Sequence, residues 1–246
     1  MKGLEIKKIN LEVGGKRVVR DTSLLVRSGE IHILMGQNGS GKSSFLNGLM
    51  GHPKYKVTSG SIYLDDDDIT NMSTEEKAKN GLFLSMQHLP DISGVSLINF
   101  LHKAYQSIKN ENVGVLEFNK EIEGKMKDSG IDVSFLRRNV NAGLSGGEKK
   151  QTEIIQLLTL FPRFAFLDEI DSGVDSDSLT KVFNAILKLK EQGTGFILVT
   201  HYDNILKHIS PDFVHIMFGG KIVKSGGKEL VQEIKDGGYT KLICQE

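Results

Sequence analysis

The residues with the clearest chemical potential form a glycine-rich loop near the start of the chain. An apolar run, Ile31–Met35, leads into Gly-x-x-x-x-Gly-Lys-Ser over residues 36–43. Glycines let successive backbone N–H groups converge on phosphate oxygens, and the helix that follows directs its positive end at the same point. In this pattern Lys42 reaches the β- and γ-phosphates and the Ser43 hydroxyl ligates Mg²⁺. We expect an ATP site with Mg²⁺ here rather than a plain turn, and its predicted contact residues are Gly36, Gln37, Asn38, Gly39, Ser40, Gly41, Lys42, Ser43 and Ser44.

Polar residues also follow three other apolar strands. Gln87 ends the run that begins at residue 81, Asp168 and Glu169 follow Phe-Ala-Phe-Leu, and His201 follows the run 195–200. In open parallel sheets ligands lie beyond the carboxyl ends of the strands, so these side chains are predicted to meet at one γ-phosphate. Asp168 is predicted to hold Mg²⁺, and Glu169 to act as the general base or to orient the attacking water. Taken singly, each residue could be a surface cap.

A second glycine-rich turn, Ser145-Gly146-Gly147, precedes a predicted helix. A helix N-terminus of this kind can bind an anion. The first loop already occupies one end of the nucleotide. The second turn therefore suggests a nucleotide shared between two subunits, with Ser145 and Gly147 completing the site.

Apolar periodicity predicts the elements that must hold these residues. Residues 4–34 read as short antiparallel strands, and the later pattern alternates buried strands with helices of period 3.6. The fold class predicted is an α/β core with a phosphate loop, an antiparallel β subdomain and an inserted α-helical lobe. Further strands are expected at 60–64, 81–87, 164–167, 195–200, 213–217 and 221–223, and helices at 44–50, about 147–160, 176–190 and about 228–236.

The chain is predicted to be one domain, 1–246, with its catalytic core in residues 1–94 and 141–246. Residues 95–140 carry helical spacing interrupted at Gly114 and Gly130, which indicates a helical lobe. Extra bundle helices without a partner are the alternative. The run of four aspartates at 65–68 lacks the spacing of a calcium loop and is expected to be a solvated turn.

The charge composition argues against some classes of binding partner. Lys plus Arg and Asp plus Glu both total 31, so the net charge is zero, which argues against a general nucleic-acid or anionic-membrane binder. The single cysteine, Cys244, cannot form an internal disulfide, and a reducing compartment is expected. No run of apolar residues is long enough to insert in a membrane, and no signal-peptide core is visible. We expect a cytoplasmic protein, or an organellar one if a transit peptide has been removed.

Taken together, these motifs resemble the ATP-binding-cassette ATPases over nearly the whole chain. In family order they are the phosphate loop 36–43, the Q-loop Gln87, the signature 144–148, the Walker B run ending in Asp168 with Glu169, the D-loop 172–175 and the switch His201. The resemblance implies ATP hydrolysis, a metal role for Gln87 and a catalytic role for Asp175. It also implies a transient head-to-tail homodimer that clamps ATP against Ser145 and Gly147 of the second copy.

A narrower resemblance comes from Glu148-Lys149-Lys150-Gln151 after the signature, and from Pro-Asp-Phe-Val-His at 211–215. These segments are similar to those of the soluble cassette ATPases of the SUF iron–sulfur cluster assembly machinery. That likeness implies partners similar to the scaffold proteins SufB and SufD, whose conformation ATP hydrolysis would change. The alternatives are a nucleotide-binding subunit of a membrane ABC transporter and an assembly module whose hydrolysis is vestigial.

Two positions differ from the usual family pattern: the adenine-stacking position near Val13, and Lys150 on the signature helix. Many cassettes stack adenine on an aromatic residue that aligns near Val13, where this chain has no Tyr or Trp. Without that stacking, nucleotide binding is expected to be weak and base selectivity loose. Lys150 on the signature helix is expected to pair with Glu169 in the resting state and to hold the base away from water.

Overall fold

A mostly parallel central sheet carries the glycine-rich loop. The computed structural model describes residues 3–85, 91–169, 175–200 and 203–243. The strands are β1 (Gly3–Val13), β2 (Lys16–Arg27), β3 (Ile31–Met35), β4 (Lys56–Leu64), β5 (Asp67–Asp68), β6 (Leu82–Ser85), β7 (Ile92–Ser96), β8 (Asn139–Val140), β9 (Phe164–Asp168), β10 (Gly195–Val199), β11 (Phe213–Phe218) and β12 (Lys221–Gly226). The helices are α1 (Lys42–Met50), α2 (Thr74–Lys79), α3 (Leu97–Lys109), α4 (Val115–Asp128), α5 (Gly146–Leu160), α6 (Ser176–Glu191) and α7 (Glu229–Ile243), with 3₁₀ turns at Val133–Arg137 and Asp203–Lys207.

The central sheet has six strands in the order β12-β11-β3-β10-β9-β6. All neighbours are parallel except the edge pair β11 and β12. Every residue of β3, β9 and β10 is buried, because apolar side chains cover both faces. The strands that lead into the loop and into Asp168 therefore end along the same edge of the sheet.

The first part of the chain forms an antiparallel sheet in the order β2-β1-β4-β5, as the sequence predicts. Lys8 and Asp21 interrupt the pairing of β1 with β2, each with a left-handed backbone (φ 44° and 42°). The buried Asn10 amide fills this break by donating to Asp21 Oδ1 and Ser59 Oγ, both at 2.9 Å. β4 begins at residue 56, earlier than the predicted strand, because Lys56–Ser59 also pair with β1.

The aspartate run at 65–68 forms a turn and the short strand β5. Asp65 Oδ1 accepts a hydrogen bond from the Gly3 backbone N–H at 2.8 Å, and Asp68 Oδ1 accepts one from the Thr70 N–H at 2.9 Å. Within the described ranges, no group of three or more His, Cys, Asp or Glu side chains is arranged to hold a metal. Asp66, Asp67 and Asp68 are exposed, as expected for a solvated turn.

The helical segment packs one face against α5. Leu101, Phe118, Ile122 and Met126 of α3 and α4 are buried in the same apolar cluster as α5 and α6. β7 and β8, which the sequence did not predict, pair Ile92 with Val140 across the base of the segment. The division of the chain at residues 94 and 141 stays a prediction.

The last helix is longer than predicted. It runs to Ile243 rather than ending near residue 236, and it is kinked at Gly238 (φ 66°), which a helical pattern alone does not reveal. None of the helices in the described residues is long and apolar enough to cross a bilayer.

A chain of buried polar side chains links β3 to the edge hairpin. His32 Nδ1 lies 2.9 Å from His215 Nε2, His32 Nε2 lies 3.1 Å from Glu30 Oε2, and His215 Nδ1 lies 2.8 Å from Ser225 Oγ. The carboxylate can only accept, so His32 donates to Glu30 and accepts from His215, which in turn accepts from the Ser225 hydroxyl. This direction requires both imidazoles to be neutral.

We therefore expect the stability of the fold to fall on acidification. Burial, and next the charge of His32, lower the pKa of His215 to about 4, and burial also lowers the pKa of His32. The unfolded chain then binds more protons than the folded one between about pH 4 and 6.5, so stability is lost as the pH falls through that window. From His215 alone, unfolding in urea is expected to cost roughly 2 kcal/mol less at pH 4.5 than at pH 7.

His215→Gln supplies a donor and an acceptor but cannot be protonated, so its pH dependence should be shallower by that amount. The control is His52→Gln, since His52 is only partly buried and does not belong to this chain of side chains. Equal slopes for both variants would show that the buried pair does not govern acid stability.

Candidate nucleotide site

One polar cavity joins the glycine-rich loop to the end of β9 and to the turn between β11 and β12. Its volume is about 920 Å³. Six of the predicted loop residues, Lys42 among them, line it together with Glu169, part of β2 and the hairpin turn. The lining residues are Arg17, Val18, Arg20, Asn38, Gly39, Gly41, Lys42, Ser43, Ser44, Glu169, Gly219 and Gly220.

The loop needs glycine where its backbone approaches other chain segments. A Cβ on Gly36 would lie 2.2 Å from the Met217 carbonyl oxygen, and one on Gly41 (φ 106°) would lie 2.8 Å from the Val18 carbonyl. Gly41 is the N-cap of α1, and the first turn of that helix has neither a side-chain cap nor an acidic residue. The free N–H groups and the positive end of α1 are therefore available to an anion.

Ser40 and the turn between β11 and β12 fix the shape of the loop. The Ser40 N–H donates to the Gln37 carbonyl at 3.1 Å, and the Ser40 carbonyl accepts from the Gly220 N–H at 2.9 Å. The Ser40 hydroxyl is buried and has no hydrogen-bond partner among the described residues. Sequence reasoning treated Gly219 and Gly220 only as a hairpin turn, because nothing in their spacing signals a contact with the loop.

Lys42 occupies the floor of the cavity. Its ammonium group donates to the carbonyls of Gly36 at 2.7 Å and Gln37 at 3.1 Å, and the residue is only 5% exposed. Burial lowers the pKa of Lys42, while the nearby carboxylates of Glu169 and Asp168 oppose that shift. The loop carbonyls thus hold the Lys42 ammonium group beside the cavity. Bound phosphate oxygens would compete with these carbonyls for the ammonium group.

Asp168 ends β9 beside Ser43, and their arrangement fits a magnesium ion. Burial raises the pKa of Asp168, while the Ser43 hydroxyl acts on it as a hydrogen-bond donor and opposes the shift. Asp168 is 3% exposed, and its Oδ1 atom has no hydrogen-bond partner among the described residues. A buried carboxylate oxygen without a partner costs free energy unless it is satisfied by a cation or water. Mg²⁺ with few protein ligands and several phosphate or water oxygens suits such a pair.

Glu169 follows Asp168 and lines the cavity. Its backbone is left-handed (φ 52°), although its N–H still donates to the Val199 carbonyl at 3.0 Å. This conformation ends the strand and places Glu169 near Lys42. The Glu169 charge opposes the lowering of the Lys42 pKa by burial. A non-glycine residue held in this region carries strain of the kind found at functional sites.

On the β2 side, the cavity is lined by residues that the sequence motifs did not include. The lining there comes from Arg17, Val18 and Arg20 of β2, and Val13 is not part of it. No aromatic side chain lines the cavity, and within the described part of the chain neither guanidinium has an ion pair or a hydrogen bond. Guanidinium planes can stack on aromatic rings. Sequence reasoning missed both arginines because they lie on an irregular strand outside every motif.

The signature turn lies at the N-terminus of α5, outside this cavity. Ser145 is its N-cap: the Ser145 hydroxyl accepts from the Glu148 N–H at 3.3 Å, and the Ser145 N–H donates to Glu148 Oε2 at 2.8 Å. Asp175 caps α6 through Asp177 and Ser178, and a Cβ on Gly147 would lie 3.3 Å from its carboxylate. One chain therefore does not bring Ser145, Gly147 and Asp175 to its own phosphate loop.

The expected pairing of Lys150 with Glu169 is wrong in this structure. Lys150 pairs instead with Glu153, one turn along α5, at 2.9 Å between Nζ and Oε2. Both residues are buried, and Glu153 also accepts a hydrogen bond from the Ser85 hydroxyl at the end of β6. A neighbour at i+3 on the same helix is always within reach, so it competes well with a distant carboxylate.

Several predicted residues lie outside the described residues. They are Gln87, His201, the D-loop positions before Asp175, and Cys244. Their predicted roles stay predictions.

Comparison with known proteins agrees with this geometry. The sequence profile of the ABC transporter family matches residues 19–172. The chain is 42% identical to Vegetative protein 296 of Bacillus subtilis, covering 96% of this chain and 91% of that protein. It is also 42% identical to the probable ATP-dependent transporter ycf16 of Cyanophora paradoxa, covering 96% and 93%.

Among solved structures, the dimeric structure of MJ0796, a bacterial ABC transporter cassette, superimposes with a TM-score of 0.78 at 21% identity. The match covers 92% of this chain and 98% of that one. It confirms the predicted fold class of an α/β core with an antiparallel sheet and added helices. With a phosphate loop, a buried Walker B carboxylate and full-length relatives of this kind, the chain belongs to the ABC transporter family of ATP-binding cassettes and is an ATPase.

Proposed function

We propose that this chain drives iron–sulfur cluster assembly, the role of SufC, by changing the conformation of a scaffold similar to SufB and SufD. The observation that carries the proposal is the sequence after the signature turn, Glu148-Lys149-Lys150, in place of the Gln and Arg of most transporter cassettes. Cluster chemistry would take place on the partners. The ATPase would only change the conformation of the scaffold.

The residues of the cavity have distinct roles in ATP hydrolysis. Lys42 leaves the Gly36 and Gln37 carbonyls and contacts the β- and γ-phosphates. Ser43 and Asp168 would hold Mg²⁺ with Gln87, and the ion would neutralise charge on the transferring phosphoryl group. Glu169 accepts the proton of the attacking water, and His201 assists at the γ-phosphate.

A second copy completes the site. At the N-terminus of α5, the Ser145 hydroxyl and the Gly147 N–H would donate to the phosphates of the other copy. We propose a head-to-tail homodimer that forms on ATP binding and opens after hydrolysis, with Asp175 at the contact between the copies. The dimeric structure solved for MJ0796 supports this arrangement by analogy of fold.

An apolar groove gives a place for a partner to act on the ATPase. It has a volume of about 230 Å³ and lies beside β6, the strand that leads to Gln87. Residues from α1, α2, α3 and α5 meet there. The lining residues are Met50, His52, Thr74, Ala78, Gly81, Leu82, Phe83, Leu84, Ile108, Leu160 and Pro162. We propose that an apolar helix of the scaffold docks here and transmits motion from the nucleotide site.

Capture of partners from a lysate of the source cells, followed by mass spectrometry, tests the proposal. Ile108→Asp is the groove variant, because Ile108 lines the groove without belonging to either core cluster. Leu116→Asp is the matched control, since Leu116 is 80% exposed on α4 and outside the groove. We expect soluble scaffold proteins with the unmodified chain and the control, and about tenfold less with the groove variant.

The second candidate is a nucleotide-binding subunit of a membrane transporter. The likeness to the ycf16 protein of Cyanophora paradoxa, a probable ATP-dependent transporter, favours it. Both candidates use the same ATP chemistry and the same groove. Integral membrane proteins in the captured fraction, without soluble scaffolds, would decide for the transporter.

A further inference from the structure

Glu148 places a negative charge where the proposed dimer needs a positive one. Its carboxylate accepts hydrogen bonds from the Ser145 N–H at 2.8 Å and from Arg138 Nη1 at 2.6 Å. These bonds, that of the Ser145 backbone first, lower the pKa of Glu148 to about 2, so it is ionised at neutral pH. The acidic group therefore stands beside the two residues that would receive the triphosphate of a second copy.

The charge of this carboxylate is larger than the helix effect it opposes. The N-terminus of a helix acts roughly like half of a positive charge, and a carboxylate carries a full negative one. Left alone, Glu148 would make the N-terminus of α5 repel a triphosphate rather than attract it. Like charges brought together at a desolvated interface are strongly unfavourable.

Arg138 is the cation that offsets Glu148. It follows the 3₁₀ turn Val133–Arg137, its second terminal nitrogen lies 3.5 Å from the Gly143 carbonyl, and its guanidinium lies 5.6 Å from the centre of the Phe135 ring. The side chains of Arg138 and Glu148 are 40% and 32% exposed, and ion pairs with that exposure contribute little to the stability of a single chain. The ion pair contributes appreciably only if the surface around Ser145 and Glu148 becomes buried in an interface.

We propose that Arg138 is a positioning residue for the shared nucleotide, which neutralises Glu148 so that Ser145 and Gly147 can accept the triphosphate of a second copy. This inference rests on the proposed ATP-bound dimer. Arg138 acts through Glu148 and does not itself bind the phosphates. The role is specific to a cassette with Glu at this position, because a neutral residue there needs no counter-charge.

The test measures dimerisation with MgATP by sedimentation, in chains that carry Glu169→Gln to prevent turnover. We expect Arg138→Ala to raise the dimer dissociation constant at least about tenfold. Arg137→Ala is the matched control: Arg137 is the exposed neighbour, without an ion pair or hydrogen bond in the described residues, and should change the constant less than about twofold. ATP binding to the single chain should be unchanged, since Arg138 does not line the cavity.

A double variant separates neutralisation from direct contact. With Glu148→Gln present, Arg138→Ala should have almost no further effect, because no charge remains to be offset. A full loss in that background would show that Arg138 binds the phosphates directly and would overturn the inference, as would an unimpaired Arg138→Ala dimer. If the chain with Arg138 intact fails to dimerise with ATP, the proposed dimer itself is wrong and this inference with it.

Discussion

Lys42→Arg is expected to abolish measurable ATP hydrolysis, with a loss of about 10²–10³ in turnover. The ammonium group lies in a closed site, 5% exposed and held by two loop carbonyls at 2.7 and 3.1 Å. A planar guanidinium is larger than an ammonium and directs its donors in a fixed fork. The guanidinium group cannot both fit into the buried site of the Lys42 ammonium group and reach the β- and γ-phosphates, although the positive charge is kept. Phosphate release at saturating MgATP measures the effect.

Lys79→Arg is the matched control for this change. Lys79 makes an exposed pair with Glu75 on α2, at 2.7 Å, and lies outside the nucleotide cavity. Exposed pairs of this kind tolerate an Arg with little change in stability. Turnover retained in the Lys42 variant would refute the assignment of the loop as the triphosphate site, whatever the control does.

The parts of the site that could be predicted from the sequence are those built from local contacts. A buried strand, a glycine-rich loop and a helix start are contiguous, so residues 36–44 indicate their own geometry. Asp168 and Glu169 were found because the apolar run before them fixes where the strand ends. Ser145 and Glu148 have the spacing of a capping box, and the structure forms one.

The parts that could not be predicted depend on contacts between distant segments. Arg17 and Gly220 line the cavity only because β2 and the edge hairpin meet at the loop, where the Arg20 N–H donates to the Gly220 carbonyl at 2.7 Å. The pairing of Lys150 failed for a related reason. Opposite charges at two motif positions do not reveal which carboxylate is nearer, and Glu153 is nearer.

Glu169→Gln is expected to lower hydrolysis by about 10²-fold or more while leaving ATP bound. Glu169 lines the cavity with Lys42 and Ser43. Burial lowers the pKa of Lys42, and Glu169 is close enough to oppose that shift. A carboxylate can accept the proton of the attacking water, and an amide of the same shape cannot. Removing its charge also removes repulsion toward the triphosphate. The variant should therefore accumulate as an ATP-bound dimer, which light scattering behind a sizing column can measure.

Glu191→Gln makes the same chemical change on the exposed end of α6 and should leave both turnover and oligomeric state unaltered. ADP in place of ATP should fail to produce the dimer, because the γ-phosphate is what the second copy contacts. Turnover close to that of the unmodified chain would exclude Glu169 as the base. Loss of turnover without a dimer would instead leave the base in place and exclude closure by a second copy. The two readouts together thus separate the chemical role of Glu169 from the assembly that the Ser145–Gly147 turn requires.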